Sequence, residues 1–97
     1  MIENPNGCDM SRLRMGIRRG MWYLELQYAI EDEVFTLFHT FDGIHMEGSL
    51  HFKNRAIDFA PPEHGREGTL KRCKEALGRD YDLLDEVNHW HLEYDPK

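Results

Sequence analysis

The sequence predicts a small α+β domain, and three observations carry that prediction. Apolar residues recur at helical spacing over 17–31, a run rich in β-branched and aromatic residues follows at 34–41, and a second helical stretch near 69–77 precedes another strand-like run. The resulting order is helix, strands, helix, strand. A chain of 97 residues fits one domain and leaves no room for two. With 40% hydrophobic and 11% aromatic residues it can bury a core, and with 31% charged residues the composition argues against a low-complexity or disordered chain.

Residues 1–11 (MIENPNGCDMS) are polar and contain Asn, Pro and Gly, which predicts a flexible arm ahead of a single domain over 12–97. Arg12, Arg14, Arg18 and Arg19 form a small basic cluster, read as a solvated face or as a patch for an anionic polymer. Ile17, Met21, Leu24 and Tyr28 then make one helical stripe, with Trp22, Leu26 and Ala29 expected to widen it. VFTLFHTF at 34–41 reads as a strand, and Asp42-Gly43 as a turn. Two extended pieces are expected around 49–53 and 55–60, the second ended by Pro61-Pro62, whose rings offer no N–H to a ladder. Thr69 is a candidate cap for a helix carrying Leu70, Cys73 and Leu77, with Gly78 as its stop. Residues 80–86 turn into a final strand, VNHWHLEY.

Composition bounds the function. Eighteen acids against twelve bases give a net charge of -6, which argues against a general nucleic-acid binder. No apolar run reaches membrane-spanning length, and the first residues do not read as a signal peptide, so the chain is expected to be cytoplasmic as synthesised, with no membrane partner. Cys8 and Cys73 lack metal-site spacing and are expected to stay thiols, Cys8 mobile and Cys73 buried. A monomer is expected.

Six histidines carry the chemistry: His39, His45, His51, His64, His89 and His91. On a strand, His89, His91 and Glu93 share one face, while Trp90, Leu92 and Tyr94 share the other. That is the pattern of a half-buried strand with a polar site on its open side. His51 and Asp58 are also suitable zinc ligands. They lie seven residues apart, so they converge only if the chain bends between them, and Asn54 tolerates such a bend. Spacing permits a His51, Asp58, His91 triple without requiring it. His39 reads as a satisfied strand histidine, His64 as a solvated loop residue, and Trp22 and Trp90 as core.

The run His45-Met-Glu-Gly-Ser49-Leu-His51-Phe-Lys-Asn54-Arg55-Ala-Ile-Asp58 resembles the SxHxxGxAxD signature of the D-alanyl-D-alanine carboxypeptidase family of zinc peptidases. It is closer still to the H-x-E-x-S-L-H-Y-x-G-R-A-V-D form of hedgehog signalling domains, which share that fold. The tail Glu86-Val-Asn-His89-Trp-His91-Leu-Glu93 resembles the second motif of the family, an acid followed by HxH. The two motifs cover about a quarter of the chain directly, in the family's order. Asn54 stands where the family has glycine.

The resemblance implies a small antiparallel sheet with helices packed on one side, holding one Zn2+ per chain. His51, Asp58 and His91 would be the metal ligands, leaving a position for water, which zinc acidifies while it polarises the scissile carbonyl. Glu86 would be the general base, with His89 and His45 flanking the site as further catalytic groups. Two alternatives stay open. Many relatives place the base three residues before the ligand histidine. Asn88 occupies that place before His91, whereas Glu86 occupies it before His89, so His89 is the alternative ligand. Glu93 is the alternative base, because it shares the face of His91. The expected function is hydrolysis of peptidoglycan peptides at a bond involving a D-amino acid, as a carboxypeptidase or an endolysin, which suits a phage-encoded enzyme acting on the cell wall once released or virion-associated. The alternative is a non-catalytic, zinc-stabilised hedgehog-like binding module or a phage accessory protein.

Overall fold

A computed structural model describes residues 2–11, 13–40 and 55–96. The expectations placed on Arg12, Asp42-Gly43, His45, Ser49, His51, Asn54 and the extended piece at 49–53 lie outside them.

The elements are β1 (Ile2–Glu3), α1 (Met15–Ile30), β2 (Phe35–His39), β3 (Ala56–Phe59), α2 (Arg66–Leu77), β4 (Tyr81–Asp85) and β5 (Trp90–Tyr94). The strands form one sheet in the order β1-β2-β3-β5-β4. The α+β class stands, but the sheet is mixed and not purely antiparallel. β1 runs parallel to β2, whereas the β2–β3, β3–β5 and β4–β5 pairs are antiparallel.

Two local differences follow from tertiary contacts that a polar N-terminus does not announce. The expected loose arm supplies the edge strand β1 and buries Cys8, whose thiol donates to the Phe38 carbonyl at 2.9 Å and whose N–H donates to Asn4 Oδ1 at 2.9 Å. Cys8 is therefore packed, not mobile. Arg18 reaches back from α1 and donates to the carbonyls of Leu13, Met10 and Ser11, so one member of the basic cluster fastens the arm.

α1 starts at Met15, two residues before the periodicity predicts, and Gly16 and Gly20 let it lie close on the β4–β5 pair. A Cβ on Gly16 would fall 2.2 Å from the Tyr94 ring, and one on Gly20 would fall 2.6 Å from Tyr81. The Tyr81 hydroxyl donates to the Gly16 carbonyl at 2.6 Å across this contact. At the other end Asp32 takes φ +55, and the N–H groups of Asp32 and Glu33 bond back to the Ala29 and Tyr28 carbonyls. That is a Schellman closure with Asp in the place usually held by Gly. Ile17, Met21, Leu24 and Tyr28 are buried as predicted, but Trp22, Leu26 and Ala29 are exposed. Trp22 adjoins Met21 in sequence and so points about 100° away from it, which takes it out of the core stripe.

α2 starts at Arg66, not at Thr69. Gly65 is its N-cap at φ +61, and Thr69, Cys73 and Leu77 form its buried stripe. Thr69 is thus a core residue and not a cap. Gly78, at φ +81, stops the helix as expected. The segment after it is a strand of its own, β4, which pairs with β5 across a tight turn.

The core lies between the helices and one face of the sheet. Tyr28, Phe35, Phe59 and Trp90 pack there edge to face or stacked, and the Tyr28 hydroxyl donates to the Ala60 carbonyl at 2.7 Å. Trp90 is fully buried, as the alternation of β5 predicts. No helix among the described residues is long and apolar enough to cross a membrane.

Candidate metal centre

The core face of the sheet is set by alternation. Ile57 and Phe59 on β3, and Trp90 and Leu92 on β5, point into the core, so Ala56 and Asp58, and His91 and Glu93, point to the opposite face. The β3–β5 register places Asp58 directly opposite His91 and Ala56 opposite Glu93. On the other side of β3 an irregularity in the β2 ladder puts His39 opposite Asp58. Without it, Leu37 opposite Phe59 would bring Phe38 to that place, so one extra residue exchanges an aromatic neighbour for an imidazole.

Asp58 and His91 are both buried, at 8% and 9% exposure. Asp58 Oδ1 lies 2.6 Å from His91 Nδ1, and Glu93 Oε1 lies 2.8 Å from His91 Nε2. Both ring nitrogens therefore face carboxylate acceptors. Burial pushes the His91 pKa down, but the hydrogen bonds to Asp58 and Glu93 outweigh it and hold the value above the usual histidine range. His39 Nδ1 stands 3.6 Å from Asp58 Oδ2, an ion-pair separation when the ring is protonated.

The β4–β5 turn brings in the second half of the site. Glu86 N–H donates to the His89 carbonyl at 3.0 Å, and Asn88 N–H donates to the Glu86 carbonyl at 2.9 Å. Val87, between them, has φ +73, an unusual conformation for a β-branched residue. Arg66 clamps this turn. Its guanidinium forms a two-pronged pair with Asp85 and also donates to the Val87 carbonyl, while Asp85 Oδ1 accepts the Val87 N–H at 3.0 Å. The Arg66 hydrogen bond holds the Asp85 carboxyl below its ordinary pKa.

The outcome is a convergence. Ligand atoms of Asp58, Glu86 and His89 all lie within 4.8 Å of one another, so these residues form a group able to hold a metal ion. Asp58 is buried, His89 half-buried and Glu86 exposed, which gives a site anchored inside and open outside. Its donors, two carboxylates and an imidazole, suit a divalent cation. His89 Nδ1 donates to Asn88 Oδ1 at 2.8 Å, which turns Nε2 toward Glu86, 3.5 Å from its Oε1.

Of the residues singled out in the sequence, Asp58, Glu86 and His89 meet in this group. His91 sits beside it, bonded to Asp58 and to Glu93, whereas His45 and His51 lie outside the described residues. His64 is elsewhere, 3.6 Å from Glu33. Sequence reasoning missed Asn88 as the orienting group of His89 and Arg66 as the clamp of the turn. An amide preceding a candidate ligand is a readable signal for the first, but Arg66 is distant in sequence and gives none.

No protein-family model matches this chain, and no curated protein matches it.

Proposed function

We propose that this chain is a zinc-dependent peptidase acting on peptidoglycan peptides at a bond that involves a D-amino acid. The observation that supports the reading is the meeting of Asp58, from the first motif, with Glu86 and His89, from the second, within 4.8 Å. Residues that the resemblance assigns to one reaction, and that are far apart in the chain, share one place.

Asp58 would hold the metal together with His89, the alternative ligand, in place of His91, whose two ring nitrogens face Asp58 and Glu93, and with His51 as the further ligand that the resemblance supplies; Glu86, the exposed member of the group, would stay off the metal as the base. A bound zinc ion provides Lewis-acid polarisation of a carbonyl and an acidified water. The residues of the chain do the rest. Asp58 keeps one orientation because His91 donates to Oδ1, and His91 keeps its own because Glu93 accepts from Nε2. Glu86 is exposed at the mouth of the group, where its carboxylate can take a proton from water and pass it to a leaving amine.

The test is metal content and hydrolysis of peptidoglycan fragments, measured on protein purified without chelator or histidine tag. Wild type is expected to carry about one zinc per chain, Asp58→Asn almost none, and Glu86→Gln to keep its metal while hydrolysis falls about 10²–10⁴-fold. Zinc retained without any hydrolysis by wild type overturns the enzyme and leaves a metal-stabilised binding module. Absence of metal in wild type after zinc is supplied overturns the site.

A further inference from the structure

The outer face of α1 is apolar where a solvent-facing helix should be polar. Met15, Trp22, Leu26 and Ile30 are 78%, 58%, 46% and 67% exposed. At helical spacing they fall on one stripe, with Arg19 between the first two. Ile17, Met21, Leu24 and Tyr28 are buried on the opposite side, so the helix carries two apolar faces and the domain covers only one of them. Scattered exposed apolar residues need no explanation, but four in register along about 24 Å of helix form a patch. The patch is also backed by packing: the Trp22 and Tyr23 ring centroids are 6.0 Å apart, and Tyr23 packs against the core.

We propose that this face is a self-association surface on which two copies of the chain pack their α1 helices antiparallel. Charge selects the partner. The first half of the helix region is basic, with Arg14, Arg18 and Arg19, and the second half and end carry Glu25 and Asp32. Glu31 pairs with Arg72 at 3.0 Å and Glu33 accepts from the Glu63 and His64 N–H groups, so these two acids are engaged on the α2 side and not at the stripe. An antiparallel second copy sets the basic half of each helix against the acidic half of the other, and a parallel one sets like against like. The apolar stripe is symmetric in the same sense. Its midpoint falls beside Trp22, so a twofold axis there brings Met15 of one copy to Ile30 of the other and the two Trp22 rings to the centre. An anionic membrane fits less well, because the acidic end would be repelled from it. A single pair of helices of this length gives a small interface, so association is expected in the micromolar range.

The test is sedimentation of the full chain across a concentration series. Wild type is expected to move from one copy to two as concentration rises, and Trp22→Glu to remain one copy with unchanged circular dichroism. Because Trp22 is exposed, its replacement leaves the core intact, and Leu26→Lys serves as an independent second variant. Orientation is read by oxidative cross-linking: chains with Met15→Cys should link to chains with Ile30→Cys and not to one another. The proposal is overturned by a wild type that stays a single copy to millimolar concentration, by a dimer that both variants leave unchanged, or by cross-links of Met15→Cys chains to themselves. Binding to anionic vesicles that Trp22→Glu abolishes, in a chain that stays a single copy in solution, would reassign the face to a membrane and also overturn it.

Discussion

On one side of the central strand pair, Ile57, Phe59, Trp90 and Leu92 are fully buried against aromatic rings and helices. On the other side the same two strands bury Asp58 and His91 in hydrogen-bond contact. Both faces bury side chains, but by different means. The apolar face is held by non-directional burial, where shape and area set the stability. The polar face is held by donors and acceptors that must each find a partner, because an unpaired buried polar group costs more than the bond returns. The difference teaches where function can reside: the apolar face offers area and shape, whereas the polar face gathers carboxylates and imidazoles at the end that meets the Glu86–His89 turn.

The largest effect is expected from breaking the apolar face. Trp90→Ala should cost about 3–5 kcal/mol, measured by urea unfolding, and should abolish metal binding only through loss of the fold. Next is the polar face. Asp58→Ala removes the carboxylate that accepts from the buried His91 ring and should cost about 2–4 kcal/mol in metal-free protein, while removing metal binding under conditions where the chain is still folded. Smaller again is Arg66→Ala, which releases the turn at Val87. Because the Arg66–Asp85 pair is exposed, stability should fall by about 1 kcal/mol or less, but zinc affinity should fall about tenfold as Glu86 and His89 lose their fixed spacing. Isothermal titration separates the two readouts.

The smallest effect is a pH dependence confined to the polar face. The folded pKa of His91 lies above its ordinary 6.5. Its contribution is therefore fully present below about pH 6.5 and lost as pH rises through the raised folded value. In metal-free protein, wild type should exceed His91→Gln in stability by more at about pH 6 than at about pH 9. Zinc affinity should run the other way and weaken as pH falls, because ligand histidines must be neutral. A stability difference independent of pH would show that His91 is not held between two carboxylates.

The sequence by itself determined what depends on near neighbours. The α+β class, the buried stripe of α1, the Gly78 stop and the inward Trp90 and Leu92 all follow from period and propensity. So does the shared face of His91 and Glu93, because alternation along one strand is a local property. Only the tertiary structure decided the rest. Parallel addition of β1, a Cys8 thiol under the Phe38 carbonyl and the separation of β4 from β5 depend on what the segments meet in space. Trp22 and Leu26 belong to a second face of α1 because packing chose the other. Asp58, Glu86 and His89 converge because β3 and β5 align in one register and Arg66 holds a strained turn. No periodicity within either motif encodes that register, since pairing across strands is fixed by burial of the opposite, apolar face.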